Sequence, residues 1–145
     1  MEDKKPAIMI NSQYIKDLSM EIPHAPHIFK TLNENAPKID IEVNLESTNL
    51  EDNYYNVMMN IAINGNIKDE KVFILELSYG ATVSLNIPKE HCEPVLMIEI
   101  PHMLYPFARQ IVANTLTNAG LPPLMLTPID FLALYNTKKN KEKSN

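Results

Sequence analysis

The chain has 145 residues, 45% of them hydrophobic and 21% charged, which is enough for one domain with its own core and too apolar for wholesale disorder. Eighteen acidic against 13 basic residues give a net charge of −5, which argues against a general nucleic-acid binder. One cysteine excludes an internal disulfide, no apolar run reaches the ~18 residues that span a bilayer, and three glycines leave little for a phosphate loop.

The N-terminal MEDKKPA lacks the apolar stretch of a signal peptide, so residues 1–7 read as a flexible N-terminus and the protein as cytoplasmic. From Ile8 to Ile22 the pattern tends to alternate, with Tyr14, Leu18, Met20 and Ile22 of one parity; Pro23 and Pro26 end the strand. Residues 38–46 are a second strand, in which Ile39, Ile41, Val43 and Leu45 alternate with polar residues. Residues 47–53 are polar and turn-like. A third strand from Tyr54 to Ile63 places Tyr55, Val57, Met59, Ile61 and Ile63 on one face, and Asn64-Gly65 signals a hairpin. Residues 67–79 return as a fourth strand, with Phe73, Leu75, Leu77 and Tyr79 on one face and a turn expected after Gly80.

The period then changes. Leu104, Phe107, Ala108, Ile111, Val112, Thr115 and Leu116 recur at helical spacing, and Pro106 places the helix start near Leu104, since proline suits a first turn. Gly120 reads as the residue just past its end. Leu121–Pro128 is an apolar, proline-stiffened connector. Thr127 as N-cap, Pro128 and Asp130 then open a short helix to about Lys138. Residues 8–138 thus form a single α+β domain, followed by a charged tail, 139–145, expected to be disordered. Charge is uneven: residues 17–76 hold 11 acids and 4 bases, whereas residues 138–145 hold 4 bases and 1 acid. An acidic sheet face steers a basic partner; it also serves simply as a solvated surface.

Two stretches resemble one family. YIKDLSMEIPHAPHIF (Tyr14–Phe29) fits a strand ending in acids and then E-x-P-x-A-P-x-x-F. LYPFARQIVANTLTNAGLPPLMLTPIDFLALY (Leu104–Tyr135) fits L-[FY]-P-[FY]-A-R, a helix, G-x-x-P-x-L-x-L-x-P and a short helix. With FILEL (Phe73–Leu77) and Tyr79-Gly80 between them, the chain resembles SecB, the bacterial protein-export chaperone, from about Tyr14 to Asn136. The resemblance implies a four-stranded antiparallel sheet, a long helix, a crossover loop and a C-terminal helix, assembled as a homotetramer, a dimer of dimers. It also implies an ATP-independent holdase that binds unfolded preproteins and hands them to SecA, with no cofactor and no metal of its own.

The family's acidic SecA-binding surface carries over to Asp17, Glu21, Ile74 and Glu76; ordinary surface acids are the plainer reading. A groove for unfolded clients must be apolar and tolerant, which points to Leu121, Pro122, Leu124, Met125 and Leu126 of the crossover, with Met20, Ile22, Ile39, Ile41, Tyr55, Met58 and Tyr105 as walls. Many of these side chains would serve a plain core equally well. Leu75, Leu77 and Tyr79, by strand parity and family position, and Phe107, Ile111, Val112 and Thr115 of the helix are the candidate assembly residues, shared with a core role. His24 and His27 have no further ligands near in sequence, and no nucleophile–base pair or P-loop is evident. The chain reads as a non-enzyme. The alternatives are a SecB-like chaperone dedicated to an antitoxin and an α+β domain that binds a small ligand.

Overall fold

The computed structural model describes residues 5–144. Four long antiparallel strands dominate it: β1 (Ile8–Glu21), β2 (Lys38–Glu51), β3 (Tyr54–Ile67) and β4 (Glu70–Leu85). Their order in the sheet is β1-β4-β3-β2, so β1 and β2 are the edges. A short helix, α1 (Ile28–Leu32), lies in the β1–β2 connection. After β4 the chain passes through a 3-10 turn (Lys89–His91), one turn of helix α2 (Cys92–Pro94) and a π-helical stretch (Val95–Glu99) into the long helix α3 (Ile100–Asn118). Helix α4 (Phe131–Ser144) follows the crossover.

Cross-strand partners share a face. Leu77 sits between Leu18 and Ile61, and Ile61 faces Val43, so one row runs across all four strands. This face is apolar: Val57, Met59, Ile61, Ile63, Leu75, Leu77, Ala81 and Val83 are all buried in one core with Ile100, Leu104, Ala108, Val112 and Leu116 of α3. The other face carries Glu42, Ala62, Glu76 and Ser19 in one row. β1 keeps pace with β4 only by register shifts between Ile10 and Ser12 and between Ile15 and Asp17. Each shift inserts an unpaired residue and flips the side-chain parity. That explains why its alternation was imperfect.

Several local expectations are corrected. Asn64-Gly65 is not the hairpin turn; β3 runs on to Ile67, and the chain reverses at Lys68–Asp69, with Lys68 at φ 55°. Gly65 serves the neighbouring strand, because a Cβ there would come within 2.7 Å of the Phe73 Cδ1. The polar stretch 47–53 is mostly strand, with only Asp52–Asn53 left to turn. β4 does not stop at Gly80 but continues to Leu85; a Cβ on Gly80 would come within 2.8 Å of the Tyr14 ring.

The long helical stretch begins well before Leu104, and Pro106 lies inside α3. The i, i+4 burial of Ile100, Leu104, Ala108 and Val112 against the sheet runs straight through that proline. Packing here outweighs a helix cost of about 3 kcal/mol. At the N-terminal end, residues 1–4 lie outside the described residues. Pro6 and Ala7 are tied down, their carbonyls accepting from the Asn86 side chain and backbone at 2.9 Å. At the other end, helix continues to Ser144, past the expected stop near Lys138 and through most of the 139–145 segment. It also starts later than expected, and its cap is Asp130 rather than Thr127: the Asp130 Oδ1 accepts from the Ala133 N–H at 3.0 Å.

Candidate functional site

Two surfaces stand out, one on each side of the sheet. On the polar face, Glu21 lies opposite Ile74, Ser19 opposite Glu76, and Asp17 opposite Ser78. The structure therefore brings Asp17, Glu21, Ile74 and Glu76 into one patch spanning two adjacent strands, with all three carboxylates exposed. The patch is wider than the sequence reading made it. Asp40, Glu42 and Glu46 of β2 turn to the same face and are also exposed. Their alternation with Ile39, Ile41 and Val43 was the signal that could have placed them there. A shallow depression of about 510 Å³ lies over Ala62, between Glu42 and Glu76. Beside it the Ser78 hydroxyl donates to the Asn60 Oδ1 at 2.7 Å. The surface is flat, anionic and built on strand backbone, which suits charge-steered docking of a basic segment.

The second surface is a groove of about 450 Å³ between the loop after α1 and the crossover, lined by Leu32, Ile39, Phe73, Leu116, Leu121 and Leu124 among others. The end of α3 sets its geometry. Gly120 has φ 81°, the Gly120 N–H bonds the Thr117 carbonyl at 3.1 Å, and the Leu121 N–H reaches back to the Leu116 carbonyl at 3.0 Å. This left-handed ending satisfies the last helix carbonyls and folds Leu121 back beside Leu116. Prolines 122 and 123 then hold the crossover extended. At its far end the Tyr105 hydroxyl donates to the Thr127 carbonyl, and the Tyr105 ring packs edge-on against Phe131, 5.8 Å between centroids. Burial pushes the Tyr105 hydroxyl above its ordinary pKa, with the charge of Arg109 pulling weakly the other way.

Of the residues expected at a client groove, Ile39, Leu121, Pro122 and Leu124 meet here. Ile41 lies next along β2 on the same face and is 45% exposed. Met125 is exposed, whereas Leu126 and Tyr105 are core. Met20 and Ile22 pack against the core from the β1 side. Two placements are corrected. Met58 belongs to the opposite, polar face, where its Cε would lie 2.9 Å from a Cβ on Gly80. Tyr55 is at the other end of β3, where its hydroxyl is raised in pKa by a hydrogen bond with buried Cys92 and by burial. Leu32, Phe73 and Leu116 were missed. Phe73 had a usable signal, a glycine at the position that faces it.

The candidate assembly residues divide. Leu75, Leu77, Tyr79 and Val112 are already buried within the single chain, Leu75 at 0% exposure. Phe107 is 48% exposed and Ile111 and Thr115 are half-buried on the outer side of α3, the Thr115 hydroxyl donating to the Ile111 carbonyl at 2.7 Å. Met103, 43% exposed, joins Phe107.

The build is that of an α+β protein with one acidic sheet face, one helix-covered face and an apolar groove. The comparisons narrow this. The family model described as "Preprotein translocase subunit SecB" matches residues 1–142. The chain is 45% identical over 133 residues to the protein-export protein SecB of Paramagnetospirillum magneticum, covering 92% of this chain and 86% of that one. It is 42% identical over 142 residues to the SecB of Rhodospirillum rubrum, covering 98% and 88%. Among solved structures it is similar to a SecB-like chaperone of Mycobacterium tuberculosis in complex with a ChAD peptide from an antitoxin, with a TM-score of 0.68, 16% identity and coverage of 85% and 91%. The chain belongs to the SecB family.

Proposed function

We propose that the protein is an ATP-independent export chaperone. It holds unfolded precursor polypeptides in the cytoplasm, keeps them competent for translocation and delivers them to SecA. The observation that carries this reading is the family match over almost the whole chain, to relatives named as protein-export proteins. The geometry supports a division of labour. The crossover groove offers apolar area and a proline-held backbone to extended clients. The acidic face of Asp17, Glu21 and Glu76 offers a basic segment of SecA a charge-complementary landing surface on the far side of the same sheet, with Ile74 supplying an apolar contact. No covalent step and no nucleotide is invoked. Among the described residues, no helix is long and apolar enough to cross a membrane.

The working assembly is a tetramer, a dimer of dimers. The support is the apolar strip of Met103, Phe107 and Ile111 on the outside of α3. The antitoxin-dedicated alternative finds less support, because the acids at the SecA-facing positions are present and grouped. The experiment is calorimetric titration, without ATP, of a permanently unfolded polypeptide and its folded counterpart, with light scattering on the same sample. Binding of the unfolded form alone by an assembly near four chains is the expected result. Equal affinity for both forms refutes the chaperone reading.

A further inference from the structure

The C-terminal end of α4 and the polar sheet face carry opposite charge. Residues 138–145 hold 4 bases and 1 acid in a chain whose net charge is −5. Leu132, Asn136, Lys139 and Lys143 stand at i, i+4, i+7 and i+11 of α4, so they form one stripe along the helix, and all four are exposed. Tyr135 beneath them is buried, and the Lys139 ammonium is held 5.6 Å from the centre of its ring. Lys138 is committed elsewhere, to the Leu45 carbonyl at 3.1 Å. Glu142, the acid of this segment, lies off the stripe and lines a small cavity with Ser47 and Glu93.

On the sheet, Asp17, Glu21, Asp40, Glu42, Glu46 and Glu76 are exposed, and among the described residues none has an ion-pair partner. β3 contributes Asn60, Ala62 and Asn64 to this face, so an uncharged track runs between the acids of β2 and those of β4 and β1. Strand spacing sets the backbones of Glu42 and Glu76 about 10 Å apart across Ala62, where the depression lies. An ammonium over Ala62 has carboxylates on both sides. Asp40 and Glu42 follow each other along β2 at roughly 7 Å, and Lys139 and Lys143, one helical turn apart, at roughly 6 Å. Lys71 stands at one end of the track and donates to the Asn64 Oδ1 at 3.3 Å. Within one chain the two surfaces do not meet: among the described residues no lysine of α4 pairs with an acid of the sheet.

We propose that the Lys139–Lys143 end of α4 docks on the acidic sheet face of a second copy, over the track of β3, and competes there with the basic segment of SecA. Only the competition rests on the reading of that face as the SecA surface. Exposed charge pairs are weak singly and are screened by salt, so the contact is one that a competitor displaces.

The test is light scattering of the full chain over a range of concentrations, at about 20 mM and about 300 mM salt. The mass is expected to rise with concentration at low salt, at least twofold, and to stay at that of the basic assembly at high salt. Lys139→Glu with Lys143→Glu is expected to abolish the rise, and so is Asp40→Lys with Glu42→Lys. The four substitutions together exchange the charges and are expected to restore it. A mass independent of salt and concentration in the parent overturns the docking. A rise that persists in Lys139→Glu with Lys143→Glu assigns the association to another surface and overturns it too, as does failure of the exchanged variant to associate. A synthetic Lys-rich decapeptide, the probe for the basic segment, is expected to return the parent to the basic mass at low salt. A peptide that binds without lowering the mass overturns the competition. SecA that binds the parent and Asp17→Lys with Glu21→Lys equally well overturns the SecA reading of the face, and the competition with it, whereas the charge exchange decides the docking separately.

Discussion

At the scale of single residues, the acidic face and the crossover are both open to test. Asp17 and Glu21 are exposed and sit on strand backbone, so charge reversal leaves packing intact. Asp17→Lys with Glu21→Lys is expected to slow association with SecA roughly tenfold or more at low salt and leave client affinity unchanged, as measured by stopped flow and titration. Tyr105 ties the crossover to α3 through the Thr127 carbonyl, and burial raises its pKa. A raised phenol contributes fully below the unfolded value of about 10 and loses that contribution as pH climbs through the folded value. The denaturant midpoint should therefore fall above about pH 10. Tyr105→Phe should flatten that fall while costing about 1 kcal/mol at neutral pH. An equally steep fall in the variant assigns the effect to Tyr55 and Tyr79, whose hydroxyls are also raised in pKa.

At the scale of elements, some local readings came out right, and others gave way to a neighbour. The strand from Lys38 and the glycine ending of α3 follow from alternation and from one left-handed residue, and both are in place. Asn64-Gly65 has the composition of a turn, but the Phe73 ring of the facing strand claims the glycine. Pro106 has the composition of a helix start, but burial of Leu104 and Ala108 carries the helix past it. The crossover forms one wall of the groove proposed for clients. Leu124 is half-buried at the groove wall, so Leu124→Asp should weaken clients roughly tenfold while the assembled mass stays the same. Unchanged client affinity by calorimetry would move the groove elsewhere.

At the scale of the whole molecule, one layer of helices covers one face of one sheet. Apolar surface remains on the outside of α3 and along β1 and β2, where Met103, Phe107, Ile15, Leu18 and Ile41 are exposed, and at Met125 of the crossover and Leu132 of α4. Phe107→Asp lies at the surface, so the fold should lose no more than about 0.5 kcal/mol, and light scattering should show a lower mass. A mass equal to that of the parent removes the outer side of α3 from the interface. The same substitution at Leu75 would report on folding instead, because it buries an unpaired charge in the core.

The sequence by itself determined the α+β class, the four strands, the long helix with its glycine end and, through two stretches of motif, the family and the acidic patch. These are written in local spacing, and an alternating strand displays its faces without knowing its neighbours. Only the tertiary structure decided which apolar residues are core and which are surface. Leu75 and Phe107 are equally hydrophobic, yet α3 covers one and leaves the other half exposed. It also decided that Ile39, Phe73 and Leu121, far apart along the chain, share one groove, and that Met58 does not belong to it. Burial is a property of what packs across, and no pattern within a strand specifies it.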